Sequence, residues 1–158
     1  MEAIVYRSNT GHTLEYAKVL SEELDIPYYS VKEAKKILKP NSEIIFLGWV
    51  CATKIQGLNK VKNYSVACVG AVGAYPYELE YIESLKKSNH LKQVFYMRGG
   101  INYQKLKGFK KKILELVGKA MAKDHPEDQE MIKLFQNGAN YVKKDNLKEI
   151  ITYIRNVR

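Results

Sequence analysis

Two stretches, Ile44-Ile45-Phe46-Leu47 and Val66-Ala67-Cys68-Val69, are apolar at every position, so a strand through either buries both of its faces. Such strands belong to the middle of a parallel sheet with helices on each side. The rest of the chain supplies the alternation this needs. Strand-like runs at Ala3 to Tyr6, Pro27 to Val31, Glu43 to Val50, Tyr64 to Val72 and Gln93 to Met97 are separated by helical periodicity, clearest over Thr13 to Leu24 and Tyr77 to Ser88. The expected fold class is α/β, a doubly wound five-stranded parallel sheet. Ligands of such a sheet bind beyond the carboxyl ends of its strands. Three loops should meet there: Arg7 to His12, Trp49 to Gly57 and Gly70 to Tyr77.

The 158 residues suit one domain spanning 1–158, long enough to bury roughly two-thirds of the surface its unfolded form exposes. Hydrophobic content of 46% with 27% charged residues is ordinary for a globular protein. No apolar run approaches the roughly 20 residues of a membrane span, and no secretory signal opens the chain, so the expectation is a soluble cytoplasmic protein. Cys51 and Cys68 have no His or Cys at ligand spacing. They are expected to be buried, reduced thiols without a metal. His90 and His125 read as surface residues for the same reason.

The run Ser8-Asn9-Thr10-Gly11-His12-Thr13 lies between the first strand and the amphipathic stretch Leu14 to Leu24. A hydroxyl-rich loop at a helix N-terminus offers unpaired N–H groups, O–H donors and the positive end of the helix dipole to a phosphate monoester. Gly11 permits close backbone approach, and Thr13 is the expected cap. His12 acts either through its backbone N–H, the favoured reading, or through its imidazole. No Lys follows the Gly as in the P-loop pattern, so the phosphate would be held by neutral donors and the dipole. That suits a small cofactor better than a nucleoside triphosphate.

The net charge is +9, and the segment from Lys105 to Lys123 carries +6 of it, with Lys105, Lys107, Lys110, Lys111, Lys112, Lys119 and Lys123 against Glu115. Within it Leu106, Phe109, Ile113, Leu114, Leu116, Val117, Ala120 and Met121 recur at three- and four-residue intervals, which predicts a basic amphipathic helix over 103–123. Its apolar face either covers the sheet edge or lies on an anionic membrane at the inner face of the bilayer. Nucleic acid is not an expected partner, since basic and aromatic residues do not interleave on strands and no recognition-helix pattern occurs. A basic nucleic-acid-binding module without cofactor is kept only as a remote alternative.

With these three loops the sequence resembles the flavodoxin family. Ser8-Asn9-Thr10-Gly11-His12-Thr13 matches that family's [ST]-x-T-G-x-T loop, and Gly48-Trp49-Val50-Cys51-Ala52-Thr53-Lys54 looks like its second loop. Val66-Ala67-Cys68-Val69-Gly70-Ala71 is similar to the strand entering the third. The resemblance implies non-covalent FMN, its phosphate on Ser8 to Thr13. The second loop, Trp49, Val50, Cys51, Ala52, Thr53 and Lys54, and the third, Ala71, Val72, Gly73 and Tyr75, would surround the flavin. Trp49, Tyr75 and Tyr77 are the candidates to stack on its ring, Trp49 having simple packing as its alternative role. Flavodoxins usually have acidic second and third loops. Lys54 here, and no acid before Glu78, imply a higher reduction potential.

Within that family the closer likeness is to the flavodoxin-like branch that includes the menaquinone-dependent protoporphyrinogen dehydrogenases. It rests on Val94-Phe95-Tyr96-Met97-Arg98-Gly99-Gly100-Ile101-Asn102-Tyr103, on Gly48-Trp49, on Glu127-Asp128-Gln129-Glu130 and on a helical insertion at about 101–138. After it, Asn140 to Lys143 either continues the fifth strand or forms a loop, and Asp145 is the expected cap of a last helix from Asn146 to Val157. The branch implies an oxidoreductase passing electrons to a quinone, with Arg98 or insertion lysines receiving substrate carboxylates. The alternative is an electron carrier whose basic face meets acidic redox partner proteins. No side chain is assigned a catalytic role, because a flavin carries the chemistry itself.

Overall fold

The computed structural model describes residues 1–106 and 108–157. Lys107, counted above in the basic segment, lies outside the described residues. Strands β1 (Ala3–Arg7), β2 (Tyr28–Ser30), β3 (Glu43–Cys51), β5 (Ser65–Gly73) and β6 (Phe95–Arg98) form a parallel sheet in the order β2-β1-β3-β5-β6. The short β4 (Lys54–Ile55) turns back antiparallel onto the end of β3. The winding reverses between β1 and β3, where Val5 pairs with Phe46. Their carboxyl ends therefore diverge into loops that leave a crevice.

The period-two alternation of the strands divides the core. Ile4, Ile45, Leu47 and Met97 face a layer containing Tyr16 and Leu20 of α1 (His12–Leu24) and Ile150 and Ile154 of α6 (Lys148–Val157). Val5, Ile44, Phe46 and Val69 face the other way, onto Val31 and Ala34 of α2 (Val31–Ile37) and Ile82 and Leu85 of α3 (Leu79–Asn89). Both central apolar runs are thus covered twice, as their composition demands.

Several local expectations are corrected. The second strand stops at Ser30, because Ser30 and Glu33 close a capping box, with Glu33 N–H on Ser30 Oγ at 3.3 Å and Ser30 N–H on Glu33 Oε2 at 2.8 Å, and Val31 begins α2. Thr13 does not cap α1. Gly11 holds that position at φ +115, where a side chain is strained, its N–H donating to Ser8 Oγ, and Thr13 is buried in the first turn. Asp145 lies inside a 3-10 turn over Lys144–Leu147 and pairs with Lys148 at 2.9 Å, so α6 starts two residues later than expected. Cys68 is buried, which pushes its thiol up to about 12, but Cys51 is exposed where β3 runs out of the sheet.

The predicted insertion is a helical hairpin on a narrow neck. Ala139–Asn140 (β8) does not extend the parallel sheet; it pairs antiparallel with Gly100–Ile101 (β7). Gly100 has φ +106, and a Cβ there would stand 2.1 Å from the Ala139 carbonyl oxygen. Between the two strands lie α4 (Phe109–Asp124) and α5 (Gln129–Asn137). The helix expected over 103–123 begins only at Phe109, after a 3-10 turn at Tyr103–Lys105 that Asn102 caps through its side chain. Leu106, Met131, Leu134 and Phe135 give the hairpin its own small core.

Candidate functional site

A cavity of about 410 Å³ opens at the carboxyl ends of β1, β3 and β5. From the first loop Ser8, Asn9, Thr10, His12 and Thr13 reach it; from the second, Trp49, Val50, Cys51 and Ala52; from the third, Val72, Gly73 and Tyr75. The insertion forms the opposite wall with Leu106, Ile113, Leu114, Val117 and Phe135.

Other candidates are placed elsewhere. Gly11 turns toward a second cavity on the far side of its loop, shared with Arg7, Lys32 and Lys105. Thr53 is tied down on α3, its Oγ1 accepting from Ser88 Oγ at 2.9 Å and its carbonyl from Asn89 Nδ2 at 2.7 Å. The Lys54 ammonium donates to the Ser88 carbonyl, away from the cavity. Ala71 pairs with Gly48 in the sheet and is buried on the α2/α3 side. Tyr77 is exposed and outside the lining.

The first helical bond of α1 runs from Glu15 N–H to the Gly11 carbonyl at 3.0 Å. The amides of His12, Thr13 and Leu14 precede that ladder, at the positive end of the helix dipole. The His12 imidazole is buried rather than solvated. Burial lowers its pKa, Glu15 opposes the shift and Lys105 adds to it, so the ring is neutral at neutral pH.

The loop is not left to neutral donors. The Lys105 ammonium stands 3.1 Å from where a Gly11 Cβ would lie, and Lys110 Nζ donates to Asn9 Oδ1 at 3.1 Å while sitting 5.7 Å from the centre of the Trp49 ring. Sequence reading offered the insertion lysines only as a group. The lysine excess marked the segment, but nothing in its spacing selects these two. No aspartate or glutamate is among the described residues lining the cavity.

The third loop is held by hydrogen bonds from below and from the insertion. Tyr96 OH donates to the Tyr75 carbonyl at 2.7 Å, and the Tyr75 ring meets Tyr81 at 5.3 Å and the edge of Phe135 at 6.2 Å. Burial pushes the Tyr81 phenol up to about 12, so it remains a donor, to the Ala52 carbonyl. Arg98, expected to receive substrate carboxylates, is committed otherwise. Its Nε donates to the Ala74 carbonyl at 3.2 Å, its Nη2 pairs with Glu130 of α5, and its guanidinium lies 3.8 Å from the centre of the Tyr141 ring. It fastens the third loop to the insertion.

An apolar slot with aromatic sides, ending at the hydroxyls of Ser8, Thr10 and Thr13 and the first turn of α1, fits a flat ring carrying a phosphate. Its volume is within the roughly 300–1,000 Å³ of small-molecule sites. A family described as a flavodoxin domain matches residues 3–129. The chain belongs to the flavodoxin domain family. Members of this family typically bind FMN. The match takes in all three loops and α4 and ends at the first residue of α5. Comparison with curated proteins returned no match. No described helix of this flavodoxin-domain protein is long and apolar enough to cross a membrane.

Proposed function

We propose that this flavodoxin-domain protein holds FMN with the phosphate on Ser8 to Thr13 and the ring between Trp49 and Tyr75, as an oxidoreductase of the protoporphyrinogen-dehydrogenase kind. A quinone is the proposed electron acceptor. One observation carries the enzyme reading: the insertion walls the cavity with Leu106, Ile113, Leu114, Val117 and Phe135. A carrier needs an open flavin edge for its partner, whereas a substrate needs a pocket.

The bound flavin would supply the capacity to accept and release electrons. The chain's own groups bind and orient. Ser8 and Thr10 hydroxyls, the first amides of α1 and the Lys105 ammonium hold the phosphate. Trp49 and Tyr75 set the plane of the ring, the insertion excludes water, and neutral His12 adds no charge. Lys110, at the rim between Asn9 and Trp49, is the group placed to receive a carboxylate. With Lys110 at the rim and no acid in the lining, the expectation is a reduction potential above that of acidic flavodoxins; Lys110, not Lys54, would raise it.

The test is anaerobic mixing of the FMN-loaded protein with protoporphyrinogen and then a menaquinone analogue. Bleaching of the flavin absorbance by the first and recovery with the second is the expected result. A flavin spectrum indifferent to the porphyrinogen would leave the electron carrier, which the exposed lysines of α4 favour through acidic partners.

A further inference from the structure

Helix α4 has two apolar faces. At 100° per residue Leu114, Val117, Gly118 and Met121 fall together and pack toward α5, where a Cβ on Gly118 would come 3.2 Å from Phe135 Cβ. Phe109, Ile113 and Leu116 fall on a different face at i, i+4 and i+7, and are 77%, 43% and 65% exposed. Folding of the chain leaves this second stripe in water. Lys112, Lys119 and Lys123 run along its border, exposed and without a carboxylate partner among the described residues.

We infer that this face of α4 docks on an anionic lipid bilayer. Between Phe109 and Leu116 the stripe offers no hydrogen-bonding side chain, so whatever covers it must be apolar beneath and anionic at the margin. A bilayer has both at one depth, acyl chains under phosphates, and lysine stems are long enough to lay their methylenes along the stripe while the ammonium stays at headgroup level. A second copy of the chain is a poor occupant, because its own lysine border would face this one. The helix carries five lysines against Glu115 and Asp124, which gives the attraction its sign.

Ile113 belongs to the exposed stripe and to the cavity wall at once. Docking through α4 therefore sets the cavity mouth at the acyl boundary, where a lipid-soluble oxidant is concentrated. That consequence rests on the cofactor reading above; the docking surface does not.

The experiment is co-sedimentation of the full chain, with and without FMN, on vesicles of phosphatidylglycerol mixed with phosphatidylcholine and on phosphatidylcholine alone. The double variants Phe109→Ser/Leu116→Ser and Lys112→Gln/Lys119→Gln are compared with wild type, their folding checked by Trp49 fluorescence and thermal melting. Retention on the anionic vesicles, weakened by salt and reduced about tenfold or more in either variant, is expected. Absence of retention, or retention that the serine variant leaves unchanged, overturns the docking surface. So does a wild-type dimer in sedimentation equilibrium that the serine variant converts to monomer. Flavin absorbance in the pellet reports the cofactor separately: retained protein without flavin would uphold the surface and refute the FMN reading.

Discussion

The Tyr16 hydroxyl donates to the Arg98 carbonyl at 2.6 Å, which joins the first helix to the strand end from which the insertion departs. Asn146 Nδ2 in turn donates to Tyr16 Oη at 2.5 Å and to the Tyr141 carbonyl at 3.0 Å, so the chain leaving the insertion is held at the same point. Burial raises the Tyr16 pKa and keeps the phenol a donor. Tyr16→Phe removes the hydroxyl and leaves Asn146 one acceptor short. We expect a loss of about 1–2 kcal/mol in urea denaturation, with no change in the FMN dissociation constant.

On the FMN reading, Lys105 should distinguish phosphorylated from unphosphorylated flavin. Its ammonium stands 3.1 Å from where a Gly11 Cβ would lie, beside the N-terminal end of α1. Lys105→Gln should weaken FMN binding about three- to tenfold, the exposed position being screened by solvent. Riboflavin, which lacks the phosphate, should bind the variant as it binds wild type. Titration by quenching of flavin fluorescence measures both, and an equal loss for the two ligands would place the phosphate elsewhere.

Gly100 is required by backbone conformation and by space. Gly100→Ala combines φ +106 with a Cβ in collision with the Ala139 carbonyl. The strain alone is about 1–3 kcal/mol, and it falls on the neck, not on the sheet. Amide exchange should accelerate across α4 and α5 while β1, β3 and β5 keep their protection.

His12 gives the site an acid-side dependence. Its pKa is lowered in the folded protein, first by burial, so the unfolded chain binds the proton more readily. Its contribution to stability is complete above the unfolded value near 6.5 and is lost as pH falls through the lower folded value. Denaturant midpoints should drop over that window in wild type and drop less in His12→Gln.

The central strands of the sheet were legible because burial on two faces leaves a direct mark on composition: Ile44 to Leu47 cannot be an exposed strand. The first loop was legible because its residues are contiguous. Helix α2 was not, since seven residues carry little periodicity and its start at Val31 reads equally well as the end of a strand. Lys105, Lys110 and Arg98 took their roles from contacts across long separations, such as Lys110 with Asn9, and local spacing holds no record of those. Arg98 illustrates the point further: a lone arginine at a strand end looks available for an anion until Glu130, Ala74 and Tyr141 are brought around it.

The neck of β7 and β8 also bears on what can be altered. Because Gly100–Ile101 and Ala139–Asn140 leave the sheet side by side as antiparallel partners, everything between them begins and ends at one place. A tight turn joining the two strands would complete the same circuit. The hairpin is therefore an exchangeable cassette: it can be shortened, lengthened or replaced by a foreign segment without displacing a strand, and the scaffold could be refitted for a differently shaped guest.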